Sequence, residues 1–196
     1  MKTYPEITSI QTEEYNQYPQ KSFEGTIIVV EKQQDVDKAV KFLSTQSILG
    51  FDTETRPSFT KNHTNSVALL QLGNEEITYL FRINKIGLPQ QLKDILANEQ
   101  IIKVGVAVRD DIKGLQKISP FDAKNFIDLQ TIAKQLQLDA MGLRRLTPLA
   151  LGFRISKKMQ LSNWENIWLT KAQKQYAATD AWVSLKIYQK LQPFTI

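Results

Sequence analysis

Three acidic clusters, far apart in the sequence, restrict how this chain can fold. Asp52 and Glu54 lie two positions apart at the end of an apolar run, so a strand would turn both carboxylates to one face. Tyr176 and Asp180 lie four positions apart in a helix-forming stretch and would share one helical face. Asp111 lies between these clusters. A fold that brings the four carboxylates together would form a site for divalent cations, which prefer oxygen ligands.

Short β-branched runs alternate with amphipathic stretches after residue 25. The predicted strands are 26–30, 47–55, 66–73, 77–83, 101–108 and 126–129. Helical periodicity is found at 34–44, 88–98, 130–138 and 170–191, and an apolar stretch at 143–152. The tight turn at 73–76 indicates an antiparallel meander of three strands. We therefore predict an α/β fold with a mixed central sheet, made of the meander and two further strands. Helices would flank both faces, which is the ribonuclease H-like arrangement.

The length of the chain suits one domain. Its 196 residues can bury a core without disulfides, and the sequence has no cysteine. We predict an irregular N-terminal arm at 1–25 and a single domain at 26–196. No apolar run is long enough to span a bilayer and the first residues are polar, so we expect no membrane partner and an intracellular location, cytoplasmic or, in a eukaryote, nuclear. The formal charge of +5 is a mild bias toward polyanions, or simply a solvated basic surface.

The acidic clusters and their neighbours match a known pattern of three motifs. The first is Gly50-Phe51-Asp52-Thr53-Glu54, the second is the segment 103–111 that ends in Asp111, and the third is the segment 176–181 that holds Tyr176 and Asp180. The segments 67–72 and 161–164 also match. In these features the chain resembles the DEDDy-type 3′-5′ exonucleases, in particular ribonuclease D and the exonuclease domain of the Werner-syndrome helicase. The resemblance covers about residues 25 to 192.

This resemblance implies a catalytic site and its cofactors. The metal ligands would be Asp52, Glu54, Asp111 and Asp180, with two Mg²⁺ or Mn²⁺ ions about 4 Å apart as cofactors. Tyr176 would orient the attacking water, since a neutral phenol with a pKa near 10 is a poor base at neutral pH. A sister group carries a histidine general base five positions before the last aspartate, where this chain has Gln175.

Several residues near these motifs have more than one interpretation. Asp110 rivals Asp111 as the ligand, because either could cap the following helix, and Asp128 is better explained as an N-cap than as a ligand. Arg145 and Lys157 are candidate phosphate contacts or solvated surface residues. The tryptophans could stack on bases, although core packing is favoured for all three: Trp164, Trp168 and Trp182. The predicted substrate-binding residues are Leu69, Gln71, His63, Arg144 and Lys158.

The leading hypothesis is a 3′-5′ exonuclease that acts on nucleic acid with a free 3′ end and releases nucleoside 5′-monophosphates. DNA is slightly preferred over RNA as the substrate, because the resemblance is to the Werner-type domain. Recognition would be independent of base sequence, because phosphate contacts and stacking carry little base information. The alternatives are a nucleic-acid-binding adaptor without catalysis and a processing subunit of a larger assembly. A 3′-5′ exonuclease of this kind would serve DNA repair or RNA processing.

Overall fold

A mixed sheet is the centre of the fold in the computed structural model, which describes residues 9–58 and 65–195. Within these residues the strands are β1 (Thr26–Val30), β2 (Ile48–Thr55), β3 (Val67–Gly73), β4 (Ile77–Phe81), β5 (Ile102–Gly105) and β6 (Phe126–Asp128). They lie in the order β1, β4, β3, β2, β5, β6. β2, β3 and β4 form the predicted antiparallel meander, while β5, β6 and β1 pair in parallel with their neighbours. The predicted fold class is confirmed, with β1 as a sixth strand at the edge of the sheet.

Helices cover both faces of the sheet. They are α1 (Thr12–Tyr15), α2 (Gln33–Leu43), α3 (Ile83–Ile86), α4 (Gln90–Ala97), α5 (Val108–Ile118), α6 (Leu129–Gln135), α7 (Leu143–Leu151) and α8 (Lys171–Leu191). Apolar side chains of α2, α4 and α5 pack in one core cluster, and those of α6, α7 and α8 in another. None of the helices in the described ranges is long and apolar enough to cross a membrane.

The long helix α8 lies against β2 at the closest approach its backbone allows. A methyl group at Gly50 would come within 1.9 Å of the carbonyl oxygen of Ala181, so only glycine fits there. Thr170 and Gln173 begin α8 with a capping box, in which each side chain binds the backbone of the other. The position of α8 along β2 is therefore fixed by its N-terminal cap and by this glycine contact.

Two predicted strands are shorter than expected because a helix begins inside each predicted range. The run 101–108 ends as a strand at Gly105, and α5 begins at Val108. Between them, Ala107 has a left-handed backbone with φ 56°, which turns the chain from the sheet into the helix. Similarly, the run 77–83 ends as a strand at Phe81, and α3 begins at Ile83. The apolar composition of these two runs does not show where the strand ends and the helix begins.

The segment before β1 is described from residue 9 onward and packs against the rest of the molecule. Its apolar side chains Ile10, Tyr15 and Phe23 are buried. Gln20 forms a parallel bridge with Arg154, which follows α7. The one regular element of the described part is the short helix α1. The division into an arm and a domain at residue 25 stays a prediction.

Candidate active site

Strand β2 and helix α8 bring three carboxylates together. Asp52 and Glu54 alternate with Thr53 on β2 and face α8, as the two-residue period of a strand requires. Asp180 lies on α8 and is 3% exposed. One carboxylate oxygen from each of these three residues lies within 4.8 Å of the others. The structure thus joins acids from the first and third sequence motifs at one point.

Asp111 joins this site from the other face of β2. It lies in the first turn of α5, and its Oδ1 accepts a hydrogen bond from the Thr53 hydroxyl. Thr53, which the sequence analysis did not single out, therefore fixes the fourth carboxylate. Asp110 has an 86% exposed side chain and pairs with Lys113 at 3.8 Å. Of the two rival aspartates, Asp111 is the one beside the site, and the cap of α5 is Ala107 rather than either acid.

Asp128 supports the turn that carries Asp111. Its Oδ1 accepts hydrogen bonds from the backbone N–H of Gln130 at 2.9 Å and of Ala107 at 3.1 Å. The first bond caps α6, which confirms the N-cap prediction. The second holds the left-handed Ala107 immediately before α5. This second role carries no sequence signal, because it depends on β6 lying next to β5 in the sheet.

Tyr176 and Lys157 both lie beside Asp180. Tyr176 lies one turn before Asp180 on α8, and its ring packs on that of Trp164 at a centroid distance of 5.9 Å. Lys157 Nζ donates to Asp180 Oδ2 at 3.1 Å and to Tyr176 Oη at 3.3 Å. The sequence alone favours a phosphate contact or a solvated surface position for Lys157. Its ammonium group instead lies among the carboxylates, where it offsets part of their charge.

The acids of this site hold their protons more strongly than ordinary carboxyl groups. Burial is the largest cause, and it raises the pKa of Glu54 to about 10 and that of Asp111 to about 6. Burial followed by repulsion from Asp180 and Asp111 raises the pKa of Asp52 well above its usual range. The pKa of Asp180 is also raised by burial, although Lys157 opposes the shift. Cations beside Asp52 and Glu54 would favour the ionised form of these two carboxyl groups at neutral pH.

The donor set fits hard divalent cations. All four acidic side chains offer carboxylate oxygens, the ligands that Mg²⁺ and Mn²⁺ prefer. In addition, Asp180 Oδ1 is buried without a hydrogen-bond partner, although buried carboxylate oxygens are normally satisfied. An unpartnered oxygen beside two further carboxylates is a position that a cation would satisfy.

The carboxylates open into two grooves. A cleft of about 360 Å³ contains the three grouped acids and Tyr176, and Gly142, Arg144, Lys157 and Gln160 also line it. A second groove of about 650 Å³ begins at Thr53 and Asp111 and is lined farther out by Arg56, Asn65 and Lys117. Each groove thus has two cationic side chains. Of the predicted substrate-binding residues, Arg144 lines the cleft, whereas Lys158 is exposed and lies outside the residues that line it.

The predicted substrate contacts on β3 require correction. Leu69 and Gln71 are both 0% exposed, because β3 is a central strand covered on its two faces. They are the cross-strand partners of Glu54 and Asp52, respectively, so they lie beside the site but are covered from solvent. Direct contact of either side chain with a nucleotide is therefore not supported. His63 lies outside the described residues.

The three tryptophans differ in burial. Trp164 is 0% exposed, and Trp182 packs between Phe23 and Phe153, which agrees with core packing. Trp168 is 73% exposed, with Lys85 Nζ 5.3 Å from its ring centroid. Core packing was the wrong expectation for Trp168, which lies in the connection before α8 with its side chain exposed.

Comparison with solved structures gives the fold class, and comparison with family models gives the family. Solved structures with the same fold include the Nibbler EXO domain of Aedes aegypti (TM-score 0.79, 24% identity, 88% of this chain and 91% of that chain). They also include ribonuclease D of Escherichia coli (TM-score 0.76, 23% identity, 87% of this chain and 44% of that chain). The fold class is thus the ribonuclease H-like α/β fold, which these solved structures share. The model of the 3′-5′ exonuclease family matches residues 27–195, and the chain belongs to that family.

Several relatives found by sequence are named as 3′-5′ exonucleases. The mouse bifunctional 3′-5′ exonuclease/ATP-dependent helicase WRN is 36% identical over 155 residues, which are 76% of this chain and 11% of that protein. A 3′-5′ exonuclease of Arabidopsis thaliana is 31% identical over 191 residues, 89% of this chain and 66% of that protein. A putative 3′-5′ exonuclease of Acanthamoeba polyphaga mimivirus is 34% identical, and the chain covers 41% of its length. The chain spans 11% of the length of the mouse protein and 41% of that of the mimivirus protein, less than two thirds of either.

Proposed function

We propose that this chain removes nucleotides one at a time from the 3′ end of nucleic acid, with two divalent cations as cofactors, and releases nucleoside 5′-monophosphates. The observation that carries the proposal is the meeting of Asp52, Glu54 and Asp180 within 4.8 Å. Asp111 adds a fourth carboxylate, which Thr53 holds beside them. Membership of the 3′-5′ exonuclease family gives this acidic site its reaction.

Asp52, Glu54, Asp111 and Asp180 would hold the cations. When bound, Mg²⁺ or Mn²⁺ supplies Lewis-acid stabilisation of phosphate oxygens and lowers the pKa of water. Both metals accept oxygen ligands, so either ion would suit these carboxylates. The unpartnered Oδ1 of Asp180 supports cation binding on the side of the site that faces α8.

Tyr176 and Lys157 would act on the water and the phosphate. Burial, followed by repulsion from Asp180, raises the pKa of Tyr176 above its usual range, so its phenol stays protonated. A protonated phenol positions a water molecule by hydrogen bonding but does not remove its proton. Lys157 Nζ lies 3.1 Å from Asp180 and, within the same cleft, can donate to a phosphate oxygen of a bound substrate.

The preferred substrate in this proposal is DNA, because the sequence resembles the Werner-type domain. A solved ribonuclease D of Trypanosoma brucei with the same fold is in complex with RNA U12, so an RNA arm belongs in the test. The cations beside the site, Arg56, Lys117, Arg144 and Lys157, suit phosphates and carry no base specificity. Selectivity would therefore depend on the end structure and the sugar.

A cleavage assay tests this function. A single-stranded oligonucleotide, in DNA and RNA versions, is incubated with Mg²⁺, Mn²⁺ or a chelator and its length is followed. We expect a ladder of shortened products in either metal, none in chelator, and nucleoside 5′-monophosphates as the products. The Asp111→Asn variant should lose at least about a hundredfold in kcat, since it removes a proposed ligand.

The matched control is Asp110→Asn, which makes the same chemical change one residue away on an exposed side chain. Its kcat should stay within about twofold of the wild type. The adaptor alternative predicts binding without shortening, and the subunit alternative predicts activity only after a stable partner is added. Failure of both DNA and RNA to shorten in either metal would reject the proposed function.

A further inference from the structure

The segment of residues 9–25 lies outside the range that the family model matches, yet it contacts the catalytic elements directly. The backbone N–H of Phe23 donates to Thr179 Oγ1 at 3.0 Å, and the Gln175 side chain donates to the carbonyl oxygen of Phe23. Thr179 and Gln175 immediately precede Asp180 and Tyr176 on α8. Gln175 thus binds the N-terminal segment, although a sister group of exonucleases has a histidine base at this position.

Tyr15 is a residue of this segment that contacts the basic side of the cleft. Its side chain is buried, and its hydroxyl donates to the carbonyl oxygen of Ile155 at 2.8 Å. Ile155 lies two positions before Lys157, the lysine that binds Asp180. The guanidinium of Arg144 lies 4.9 Å from the centroid of the Tyr15 ring, within the range of a cation–π contact. Tyr15 therefore contacts one cleft cation and the backbone that leads to the other.

Arg144 is exposed, so contact with the Tyr15 ring would restrict its side chain before a phosphate binds. It is exposed in the first turn of α7 and lines the cleft that holds the grouped carboxylates. A free arginine side chain loses much rotamer freedom when it binds a phosphate, whereas one already stacked on a fixed ring loses less. Arg145 provides the contrast, because it borders the small cavity beside Tyr15 and lies outside the residues that line the cleft.

We infer that the N-terminal segment is part of the substrate-binding unit, and that Tyr15 is a positioning residue that holds Arg144 at the cleft for a phosphate of the bound strand. The buried Tyr15 ring holds the guanidinium, while the bond of its hydroxyl to the Ile155 carbonyl adds to the stability of the packed segment. This inference rests on the proposed function, since it assumes a polynucleotide in the cleft.

A double-mutant cycle in the full chain tests the inference. The dissociation constant of a fluorescein-labelled single-stranded DNA is measured by anisotropy in Ca²⁺ for the wild type, Tyr15→Leu, Arg144→Gln and the double variant. Arg144→Gln should raise this constant about tenfold, because a charge-assisted phosphate contact is lost. Tyr15→Leu should raise it about threefold in the wild type and leave it unchanged in the Arg144→Gln variant. Arg145→Gln, with the same change of charge, should have little effect.

Tyr15→Phe separates positioning from stability. This variant keeps the ring beside Arg144 and loses the bond to Ile155, so its melting temperature should fall while its dissociation constant stays close to that of the wild type. The inference is overturned if Tyr15→Leu weakens binding equally in both backgrounds, or if binding follows melting temperature across the Tyr15 variants. Binding needs no cleavage, so a wild type that binds in this cycle but shortens no substrate in Mg²⁺ would reject the proposed function and leave the positioning role standing. A wild type that binds no oligonucleotide would reject both.

Discussion

Asp111 shows how a single residue links the stability of the fold to the metal site. Its carboxyl group accepts the Thr53 hydrogen bond but is partly buried near other acids, and burial raises its pKa to about 6. In the unfolded chain the same group titrates near 3.8. The folded protein therefore binds the proton more strongly. The resulting stability is fully present below pH 3.8 and is lost as pH rises through about 6.

A comparison of wild type with Asp111→Asn in chelator should reveal this linkage. The difference in free energy of unfolding between the two proteins should change by about 2 kcal/mol from pH 4 to pH 7, to the disadvantage of the wild type. Denaturant unfolding at a series of pH values measures it. Adding Mg²⁺ at pH 7 should stabilise the wild type more than the variant. A difference that stays constant with pH would contradict the raised pKa of Asp111.

At the scale of elements, the contact between β2 and α8 sets the geometry of the site. Gly50 lies two residues before Asp52, and Ala181 directly follows Asp180, so the place where the two backbones touch adjoins the grouped acids. Any change in this contact moves the acids of β2 relative to the acid of α8. The glycine is thus required by the site as much as by the core.

Gly50→Ala should weaken both stability and activity. The added methyl group would meet backbone atoms that cannot move aside, which costs about 3 kcal/mol and lowers the melting temperature by roughly 6 to 12 °C. A displacement of α8 by about 1 Å should lower kcat about a hundredfold. Gly142→Ala is the steric control, because a methyl group there meets nothing within 4 Å and its cost should be limited to about 1 kcal/mol for the N-cap of α7. An unchanged kcat in Gly50→Ala would show that the site tolerates movement of α8.

The sequence predicted those elements whose side chains repeat with a regular period. The two-residue period of β2 placed Asp52 and Glu54 on one face, and the four-residue spacing on α8 placed Tyr176 beside Asp180. The bond between Tyr15 and Ile155 spans 140 residues and follows no period, so the packing of the N-terminal segment could not be predicted. The position of Lys157 was missed for the same reason, because it depends on the path of the chain between α7 and α8.

Across the molecule, the positions of the charges matter more for the binding of a nucleic-acid strand than the net charge of +5. Two cations line each groove beside the acids: Arg144 and Lys157 in the cleft, Arg56 and Lys117 in the second groove. Lys38 and Lys41 are exposed on α2 and lie outside the residues that line either groove. A strand bound across the acids would meet the first four cations and not the last two.

The salt dependence of binding should therefore separate the groove cations from the rest. For single-stranded DNA, four phosphate contacts give a slope of about 3 in a plot of log Kd against log salt concentration. The double variant Arg56→Gln/Lys117→Gln should lower the slope to about 1.5 and weaken binding at low salt. Lys38→Gln/Lys41→Gln removes the same charge and should keep the slope of the wild type. Equal slopes for the two variants would mean that net charge, rather than the grooves, attracts the strand.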